Sequence, residues 1–573
     1  MTSLATPETS TVRTSGTVID LLSAAARRHP DQTAVIHVED PAAAEPAGSL
    51  TYGELHHAAR RVAALLASGT RPGDRVLVLC QDGPNFLTAY LGCLYAGVIA
   101  VPAPAPGGYR QHSERLAHIA TDAGAVAAIT TIEKLSTVAG WAAEALPGPL
   151  WCLAADAVDL PPATAWSRPG VDTETIAMLQ YTSGSTTDPK GILITHGNLI
   201  ANAAAQHRAL GGRQNVRFGG WTPLYHDMGF SIVMLPLLMG GSSVVMAPTT
   251  FLKRPLAWLQ MIDRYRVRLS AGPDFAYRLC LRKVTDEQLS TLDLSGWRSA
   301  LNGAEPINPA TLRDFQRRFA VTGFGESAPC PVYGLAEATV YVTGISDRAP
   351  DVRLVDAAML ERGRFVPTDD RGKGREIVSC GTVTDFELRI TDPVTGAVLP
   401  PGHAGEIRLR GASIGKGYWA HRGERGFADE GFLHTGDLGV SYDDQLFVLG
   451  RLDEVIRLGD RILLPQQIEQ EIRIELGDAV ELGAAVSTGR DDLVLLQEVR
   501  GRPDEHDLAK IADRIRQRLR MALDVTADRV VLLRRGSVLR TTSGKTRRVA
   551  MREQFLDGGL RVMHDDPTPD SFR

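Results

Sequence analysis

The segment YTSGSTTDPKG (residues 181–191) crowds hydroxyl side chains, glycines and a lysine into one short stretch. Hydroxyl groups and exposed backbone N–H groups donate to anions, and a lysine adds a positive charge, so the segment suits a loop that holds phosphates. It is not a Walker P-loop, because that motif needs its lysine after a second glycine, whereas Lys190 precedes Gly191. A polar surface turn between two apolar runs is the alternative. The predicted phosphate-binding residues are Thr182, Ser183, Gly184, Ser185, Thr186 and Lys190.

Further motifs follow along the chain and limit the interpretation of that loop. They are GWTPLYHDMGF (220–230), NGAEPI (302–307), YGLAEAT (333–339), TGDLG (435–439), GRLDEVIRLGDRILLPQQIE (450–469) and TTSGKTRR (541–548). In this order, together with residues 181–191, they resemble the adenylate-forming superfamily of acyl-CoA synthetases, peptide-synthetase adenylation domains and luciferases. The resemblance covers residues 21–552 and implies binding of ATP and AMP.

Length and composition are those of a globular protein with more than one domain. The 573 residues exceed the usual size of a single domain, so two or three domains are expected. A net charge of −5 gives no overall electrostatic reason to bind nucleic acid or an anionic membrane. The six cysteines form no C-x-x-C pair, which favours reduced thiols in a cytoplasmic protein over a disulfide framework or a zinc site.

Two uncharged runs, residues 86–108 and 230–251, raise the question of membrane spans. Glycine and proline interrupt both runs, and each fits a buried helix followed by a buried strand, so no span is expected. The first 14 residues lack an apolar signal core and are predicted to be a disordered lead-in.

The pattern of helices and strands predicts an α/β fold. Helical patterns alternate with β-branched apolar runs, which indicates a large N-terminal domain (residues 15–450) of mostly parallel sheets covered by helices. Short two-faced strands at 383–450 predict a small β-rich subdomain, and residues 451–573 form a small α+β domain. By resemblance, this C-terminal domain is mobile and residues 450–454 are its hinge, with Asp453 at the pivot.

Residues 350–376 carry little apolar periodicity and contain the charged turn TDDRGKGRE. A segment of this length at this place resembles the insertion that separates fatty acyl-AMP ligases from their acyl-CoA synthetase relatives. The neighbouring motifs look like the same branch. The chain departs from the branch at Thr187, which could stiffen the phosphate loop, and at Thr222 and Asp274, which leave the substrate preference open.

The resemblance also implies roles for residues that would hold the nucleotide. Glu337 matches the carboxylate that binds Mg²⁺, an ion that usually takes only one or two protein carboxylates. Asp437 would accept hydrogen bonds from the ribose hydroxyls with help from Arg451. Tyr333 would stack on adenine. The residues expected to complete this site are Gly303, Ala304, Glu305, Gly334, Leu335, Ala336 and Thr339, the last of which could supply a hydroxyl that Ala336 lacks.

Two further residues are expected to act on the acyl group. By resemblance, Lys545 contacts the substrate carboxylate and the α-phosphate during adenylation. His226 lies where the acyl channel of the family meets the nucleotide, and it is interpreted as a gate because no second ligand lies at metal-binding spacing. The apolar residues 231–248 suit either a hydrocarbon channel or plain core.

Residues 514–552 contain twelve Lys or Arg against two Asp. The fourfold spacing of Ile511, Ile515, Leu519 and Leu523 predicts an amphipathic helix. The interleaved Arg514, Arg516, Arg518 and Arg520 are expected on its exposed faces. A solvated basic face and a dock for an acidic acyl carrier protein explain this pattern equally well.

These observations predict a fatty acyl-AMP ligase that loads a fatty acid onto the phosphopantetheine thiol of an acyl carrier protein. The nearest alternative is an acyl-CoA synthetase that uses free CoA. A non-catalytic subunit that binds nucleotide or acyl groups is a third class, and the presence of Lys545, Glu337 and Asp437 argues against it.

Overall fold

The computed structural model describes residues 16–107, 110–181, 189–212, 215–344, 346–420, 431–489, 491–540 and 545–567. The predicted lead-in at residues 1–14 lies outside them. Up to Gly344 the helices are α1 (Val18–Arg28), α2 (Tyr52–Ala67), α3 (Gly83–Ala96), α4 (Arg110–Ala123), α5 (Leu135–Ala145), α6 (His196–Ala209), α7 (Asp227–Leu238), α8 (Pro248–Lys253), α9 (Leu256–Arg264), α10 (Asp274–Lys283), α11 (Asp286–Leu289) and α12 (Pro309–Phe319). The strands are β1 (Thr33–Val38), β2 (Gly48–Thr51), β3 (Arg75–Val78), β4 (Ile99–Pro102), β5 (Ala127–Thr130), β6 (Trp151–Ala154), β7 (Ile176–Tyr181), β8 (Gly191–Thr195), β9 (Arg217–Gly220), β10 (Ser242–Met246), β11 (Leu269–Gly272), β12 (Ser299–Asn302), β13 (Pro329–Gly334) and β14 (Tyr341–Gly344).

These strands form two large sheets. One has the order β6-β5-β3-β4-β7-β8, and the other has the order β14-β13-β12-β11-β9-β10-β1-β2. Most neighbours run parallel, and antiparallel pairs lie at the sheet edges: β7 with β8, β1 with β2, and β13 with β14. Parallel sheets need crossover helices that cover their faces. The predicted α/β fold is therefore confirmed.

Helix α3 lies between the two sheets and joins their cores. It contacts β4 of one sheet and β1 and β10 of the other, and its residues are buried on nearly every side. Gly92 lets α3 approach α2 closely, because a Cβ atom there would lie 2.4 Å from Cγ1 of Val62. The helix ends at Gly97, whose φ of 72° is easy for glycine and costly for other residues.

The two uncharged runs fold as predicted, each into a buried helix followed by a buried strand. The first contains α3 and β4, and the second contains most of α7 and then β10. Of the helices that the structure describes, none is both long and apolar enough to cross a membrane.

A third region, between the large sheets and the C-terminal residues, is built from antiparallel strands. Its elements are β15 (Val352–Asp356), α13 (Ala357–Glu361), β16 (Gly374–Val378), β17 (Glu387–Thr391), β18 (Ala404–Arg410), β19 (Leu433–Tyr442) and β20 (Gln445–Arg451). Strands β17 to β20 form one four-stranded sheet, in keeping with the predicted β-rich region. Residues 350–376 are more ordered than their weak periodicity indicates, since β15 pairs with β16 and Val355, Leu360 and Phe365 are buried.

The C-terminal residues form a separate α+β arrangement with its own core. Its elements are β21 (Ile456–Leu458), β22 (Arg461–Leu463), α14 (Pro465–Leu476), β23 (Val480–Val486), β24 (Val494–Val499), α15 (Glu505–Leu523), β25 (Arg529–Arg534), α16 (Arg548–Leu556) and β26 (Val562–Pro567). Helices α14 and α15 pack on the sheet β23-β24-β25-β26 through residues such as Ile472, Ile515 and Leu532. We call residues 454–567 the C-terminal unit.

The expected exposure of Arg516 on α15 is wrong. Its side chain is buried, forms an ion pair with Asp566 of β26 and also bonds the Asp566 carbonyl. Arg514 and Arg518 pair with Glu475 and Glu471 of α14. Much of the local positive charge is thus neutralised by acids from neighbouring elements, which weakens the argument for a basic docking face on this helix.

Candidate functional site

Tyr333, Asp437 and Arg451 meet at one point, although they come from three different strands; Tyr333 and Asp437 are buried, and Arg451 reaches them from the surface. The Tyr333 hydroxyl donates to Oδ2 of Asp437 at 2.6 Å, and Arg451 Nη1 lies 3.4 Å from Oδ1 of the same carboxylate. Asp437 and Arg451 are directly opposed in the β19–β20 ladder. Burial raises the pKa of Asp437, and the charge of Arg451 and the Tyr333 hydrogen bond oppose that rise. The predicted ribose-binding pair is therefore assembled, together with the predicted adenine-stacking residue.

The NGAEPI segment follows β12 at the end of the parallel sheet. Gly303 lies tightly against Val332, because a Cβ atom would come within 2.7 Å of the Val332 carbonyl oxygen. Ala304 has a φ of 65°, which few residues other than glycine adopt. The Glu305 carboxylate accepts the Phe275 backbone N–H at 2.6 Å, in the first turn of α10. Its side chain therefore serves a helix N-terminus, and Gly303 and Ala304 are left to supply the small lining predicted beside adenine.

Glu337 lies in the turn after β13, half-buried beside groups from two other parts of the chain. The Tyr418 hydroxyl donates to its Oε1 at 3.0 Å, and the Lys190 ammonium lies 5.6 Å from the centre of the Tyr418 ring. Burial raises the pKa of Glu337, while the Tyr418 hydrogen bond and the charge of Arg451 act against the rise. Tyr418 thus connects the predicted metal carboxylate with the predicted phosphate-binding lysine.

The remaining residues of the YGLAEAT motif shape this turn and do not present polar groups. A Cβ atom on Gly334 would lie 1.9 Å from the Val340 carbonyl oxygen, so the close turn requires glycine. Leu335 packs in an apolar cluster and Ala336 is buried. The Thr339 hydroxyl is also buried and donates to the Ser413 carbonyl at 2.6 Å. Its proton is engaged there and does not point to the suggested phosphate contact.

The predicted phosphate loop connects β7 to β8, and Thr182, Ser183, Gly184, Ser185 and Thr186 lie outside the described residues. The two ends of the loop are firmly held. The Tyr181 hydroxyl donates to Asp122 of α4 at 2.5 Å, and the backbone N–H of Trp419 donates to the Gly191 carbonyl at 2.7 Å. The Trp419 indole also donates to the Asp122 carbonyl at 3.1 Å.

His226 and Asp227 stand at the N-terminus of α7, and Lys545 of the C-terminal unit faces the same cleft. Burial would raise the pKa of Asp227, but the hydrogen bond and charge of His226, with the charge of Lys545, hold it below its ordinary value. Lys545 also lowers the pKa values of Glu305 and Asp437, although burial raises both overall. The charge of one lysine therefore acts at the start of α7, on Glu305 and on Asp437 at once.

Sequence reasoning missed Tyr418, Trp419 and Asp122. The first two stand in GKGYW (residues 415–419), where an aromatic pair after two glycines was an available signal. Asp122 has no such signal, because only the fold brings α4 to the end of β7.

Comparison with known proteins agrees with this architecture. The model of the family described as AMP-binding enzyme matches residues 22–419. Over 537 residues the chain is 37% identical to the medium-chain-fatty-acid–[acyl-carrier-protein] ligase JamA of Moorena producens, covering 89% of this chain and 90% of that protein. It is 33% identical to the long-chain-fatty-acid–AMP ligase FadD26 of Mycobacterium tuberculosis, covering 96% and 98%.

A solved structure from a study of fatty acyl-adenylate ligases of E. coli and L. pneumophila superposes with a TM-score of 0.86 at 30% identity. The match covers 97% of this chain and 99% of that chain. The chain therefore belongs to the family of AMP-binding enzymes and is an adenylate-forming ligase. Within that family it groups with the fatty acyl-AMP ligases, as the motifs predict.

Proposed function

We propose that the protein activates a fatty acid with ATP and then passes the acyl group to the phosphopantetheine thiol of an acyl carrier protein. In the first step the carboxylate oxygen attacks the α-phosphorus, the bond from that phosphorus to pyrophosphate breaks, and acyl-adenylate forms. In the second step the thiol sulfur attacks the acyl carbonyl carbon, the thiol proton is released, and AMP leaves.

The observation that carries the proposal is the position of Lys545. Its charge acts on Asp227 at the start of α7 and on Asp437 beside Tyr333. Such a cation lies between the groups proposed to bind the acid and the nucleotide. Negative charge develops at this place when a carboxylate attacks a phosphate. Catalysis of such a transfer depends mainly on positioning and charge neutralisation, which these residues can supply.

An aliphatic acid is favoured by the surroundings of α7. Every residue from Gly229 to Leu238 is buried, in keeping with the core interpretation of most of this run. Near its C-terminal end, Leu235, Pro236 and Met239 border a small, mainly apolar cavity of about 20 Å³ that His207 also lines. An acyl chain that entered beside His226 and followed the helix would pack along the apolar side chains of α7.

A magnesium site at Glu337 fits the residues present. No group of three or more potential ligand side chains is found in the described part of the chain. Mg²⁺ usually takes only one or two protein carboxylates and receives its other oxygens from phosphates and water. Glu337 is a half-buried carboxylate with a raised pKa, which a cation would relieve. Bound there, Mg²⁺ would neutralise charge on the leaving phosphates, while Lys190 and Tyr418 lie close enough to flank them.

Contacts on both sides of Asp453 support the proposal that it is the pivot of a mobile C-terminal unit. On one side, the Leu452 backbone N–H donates to the Gly436 carbonyl at 2.9 Å. On the other side, Glu454 accepts from Arg548 at 2.7 Å. Only Asp453 stands between these two attachments, so rotation at this residue would move the C-terminal unit and leave β19 in place.

Residues 350–376 contact both parts of the chain that would have to move apart. Glu361 of α13 forms an ion pair with Arg461 of β22 at 2.8 Å. Toward the large sheets, Glu376 of β16 pairs with Arg313 of α12 at 2.6 Å. We propose that this segment restrains the C-terminal unit and disfavours transfer to free CoA.

The test of adenylation measures acyl-adenylate and pyrophosphate from purified protein, ATP and fatty acids. Replacing Lys545 with alanine removes one positioned charge and should slow adenylation ~10²–10³-fold. Lys510→Ala is the matched control, since Lys510 is an exposed lysine of the same unit and pairs with Asp507. Adenylation by Lys545→Ala at the rate of Lys510→Ala would overturn the assignment.

The test of the acceptor offers the protein a phosphopantetheinylated carrier protein and, separately, an excess of CoA. Mass spectrometry then follows acyl-carrier and acyl-CoA. Carrier loading with little acyl-CoA supports the proposal. Efficient acyl-CoA formation by the unmodified protein would replace it with the acyl-CoA synthetase alternative, and failure to form any acyl-adenylate would favour a non-catalytic binding role.

A further inference from the structure

The turn that carries Glu337 contains a strained residue. Thr339 has φ 70° and ψ −59°, and the Val340 N–H donates to the Ala338 carbonyl across it at 2.9 Å. This is the rare γ-turn with positive φ, which is costly for a β-branched residue. Such strain persists only where surrounding contacts fix the backbone. The turn lies directly after Glu337, so its conformation helps to set the direction of the Glu337 side chain, together with the Gly415 N–H that donates to the Glu337 carbonyl at 2.9 Å and the Tyr418 hydroxyl that donates to its carboxylate.

Asn202 of α6 provides those contacts and is 2% exposed. Its Nδ2 donates to the carbonyls of Ala338 at 3.1 Å and Tyr341 at 2.8 Å. Its Oδ1 accepts from the Tyr341 N–H at 3.2 Å and from Gln206 Nε2 at 2.9 Å. All four bonds that the amide can make are therefore formed, and they hold both sides of the strained turn.

The amide also connects the turn to the helix that begins at the cleft. Gln206, one turn further along α6, accepts from the Ser231 hydroxyl of α7 at 3.1 Å. The bonds thus run from Ser231 through Gln206 and Asn202 to the backbone of the Glu337 turn. All three side chains are buried, where hydrogen bonds are strong and an unpaired group is expensive.

Other contacts hold the same turn at different points. The Thr339 hydroxyl bonds Ser413, and Val340 lies against Gly334. Neither contact pairs the Tyr341 backbone N–H and carbonyl, which Asn202 bonds directly. Loss of the Asn202 amide would therefore leave the C-terminal side of the turn without its side-chain partners.

We propose that Asn202 is a positioning residue for Glu337, holding the γ-turn at Thr339 so that the carboxylate points to the metal that accompanies ATP. The inference rests on the proposed function, because it requires a metal at Glu337. It assigns no contact between Asn202 and substrate.

The experiment measures metal binding without turnover. Mn²⁺ in place of Mg²⁺ is titrated into the protein with α,β-methylene-ATP, and binding is followed by electron paramagnetic resonance. Asn202→Leu keeps the volume and removes the amide, and it should weaken Mn²⁺ binding about 10- to 100-fold, the usual cost of removing a group that orients a metal ligand. Hydrogen exchange at the Tyr341 amide should accelerate in the same variant.

The matched control is Gln497→Leu. Gln497 is likewise 2% exposed and donates to two carbonyls, those of Leu482 and Glu498, each at 3.0 Å, but it lies in the C-terminal sheet. This variant should lose stability and keep Mn²⁺ affinity. Should Asn202→Leu fail to fold, Asn202→Asp takes its place, because it keeps the two accepted bonds and loses the two donated ones.

The Glu337→Gln variant distinguishes failure of the metal assignment from failure of the positioning role. If Glu337→Gln binds Mn²⁺ as well as the unmodified protein, the metal assignment in the proposed function is wrong. If Glu337→Gln weakens binding while the folded Asn202 variant binds normally and the Tyr341 amide exchanges slowly, the positioning role is wrong. Weakened binding in both variants, with normal binding in Gln497→Leu, supports the inference.

Discussion

Replacing Glu361 with alanine should weaken the attachment of the C-terminal unit to residues 350–376. The carboxylate accepts a hydrogen bond from Arg461 Nε at 2.8 Å, and the two side chains are 11% and 25% exposed. Arg461 also donates to the carbonyls of Leu523 and Asp524, at 2.6 and 2.9 Å, where α15 ends. The variant therefore leaves the arginine bound within its own unit and removes one link between the two parts, while the Arg362–Asp460 ion pair and the Arg375–Gln467 hydrogen bond remain.

The partial burial of the Glu361–Arg461 ion pair determines how much free energy is lost when the pair is removed. Fully exposed pairs contribute ~0.2–1 kcal/mol, and breaking a fully buried pair costs ~3–5 kcal/mol. Glu361 and Arg461 lie between these limits, so a difference of about 1–2 kcal/mol is expected, after allowance for solvent screening. Such a difference changes an equilibrium constant by about 5- to 30-fold. If the pose that admits CoA is a minor population, its fraction rises by the same factor.

The assay compares acyl-AMP and acyl-CoA by mass spectrometry in the presence of excess CoA. Glu361→Ala should leave acyl-AMP formation within about twofold and raise acyl-CoA in proportion to the released population. Lys373→Ala is the control, because Lys373 is an exposed residue of the same segment that pairs with Asp370. An unchanged product ratio in Glu361→Ala, at equal adenylation rate and thermal stability, would refute the restraint.

Three further outcomes are expected. Burial raises the pKa of Glu337 above its ordinary value of 4.5, so the stability that its protonated form contributes is lost as pH rises through the raised pKa. Glu337→Gln should therefore raise the melting temperature of the ligand-free protein at pH 7 in calorimetry, although it slows adenylation. Asp453→Pro should restrict φ at the pivot and slow acyl transfer more than adenylation in separate half-reaction assays, and equal slowing of both would contradict the hinge. Met239→Trp should add bulk at the apolar end of α7 and shift the preferred acid toward shorter chains in a competition assay, whereas an unchanged chain-length profile would place the acyl chain elsewhere.

Sequence patterns within single helices and strands correctly predicted the parts of the fold that such short-range patterns specify. The alternation of helices and β-branched runs identified the two parallel sheets, and the glycine and proline breaks correctly divided residues 86–108 and 230–251 into helix and strand. Residues 350–376 were harder, because their buried residues Val355, Leu360 and Phe365 come from a strand, a helix and a loop. No single period joins positions from three different elements.

A pattern confined to one element also explains why Arg516 was wrongly predicted to be exposed. Its place between apolar positions of α15 predicts exposure, but the missing partner is Asp566, fifty residues away on β26. A buried cation requires a paired anion, and a helical pattern contains no information on which strand supplies one. Asn202 was overlooked for the same reason, since its four bonds reach α6 itself and a turn more than 130 residues later. Motifs identified Glu337, and tertiary contacts alone identify what orients it.

Arg451 lies close to both the proposed ribose site and the proposed pivot. Its Nη1 bonds the Thr435 carbonyl at 3.3 Å and Asp437 at 3.4 Å, while its Nε lies 3.4 Å from Asp453. A ribose whose hydroxyls donate hydrogen bonds to Asp437 competes for the carboxylate that now holds Arg451, and any movement of the guanidinium changes its contact with Asp453. Rotation at Asp453 would likewise break the Asp453 contact and leave Arg451 with its two partners on β19. Because linked equilibria are reciprocal, nucleotide binding and hinge rotation must influence each other through this arginine. We therefore expect the preference for the adenylating or the transferring pose to depend on whether ATP or AMP occupies the cleft.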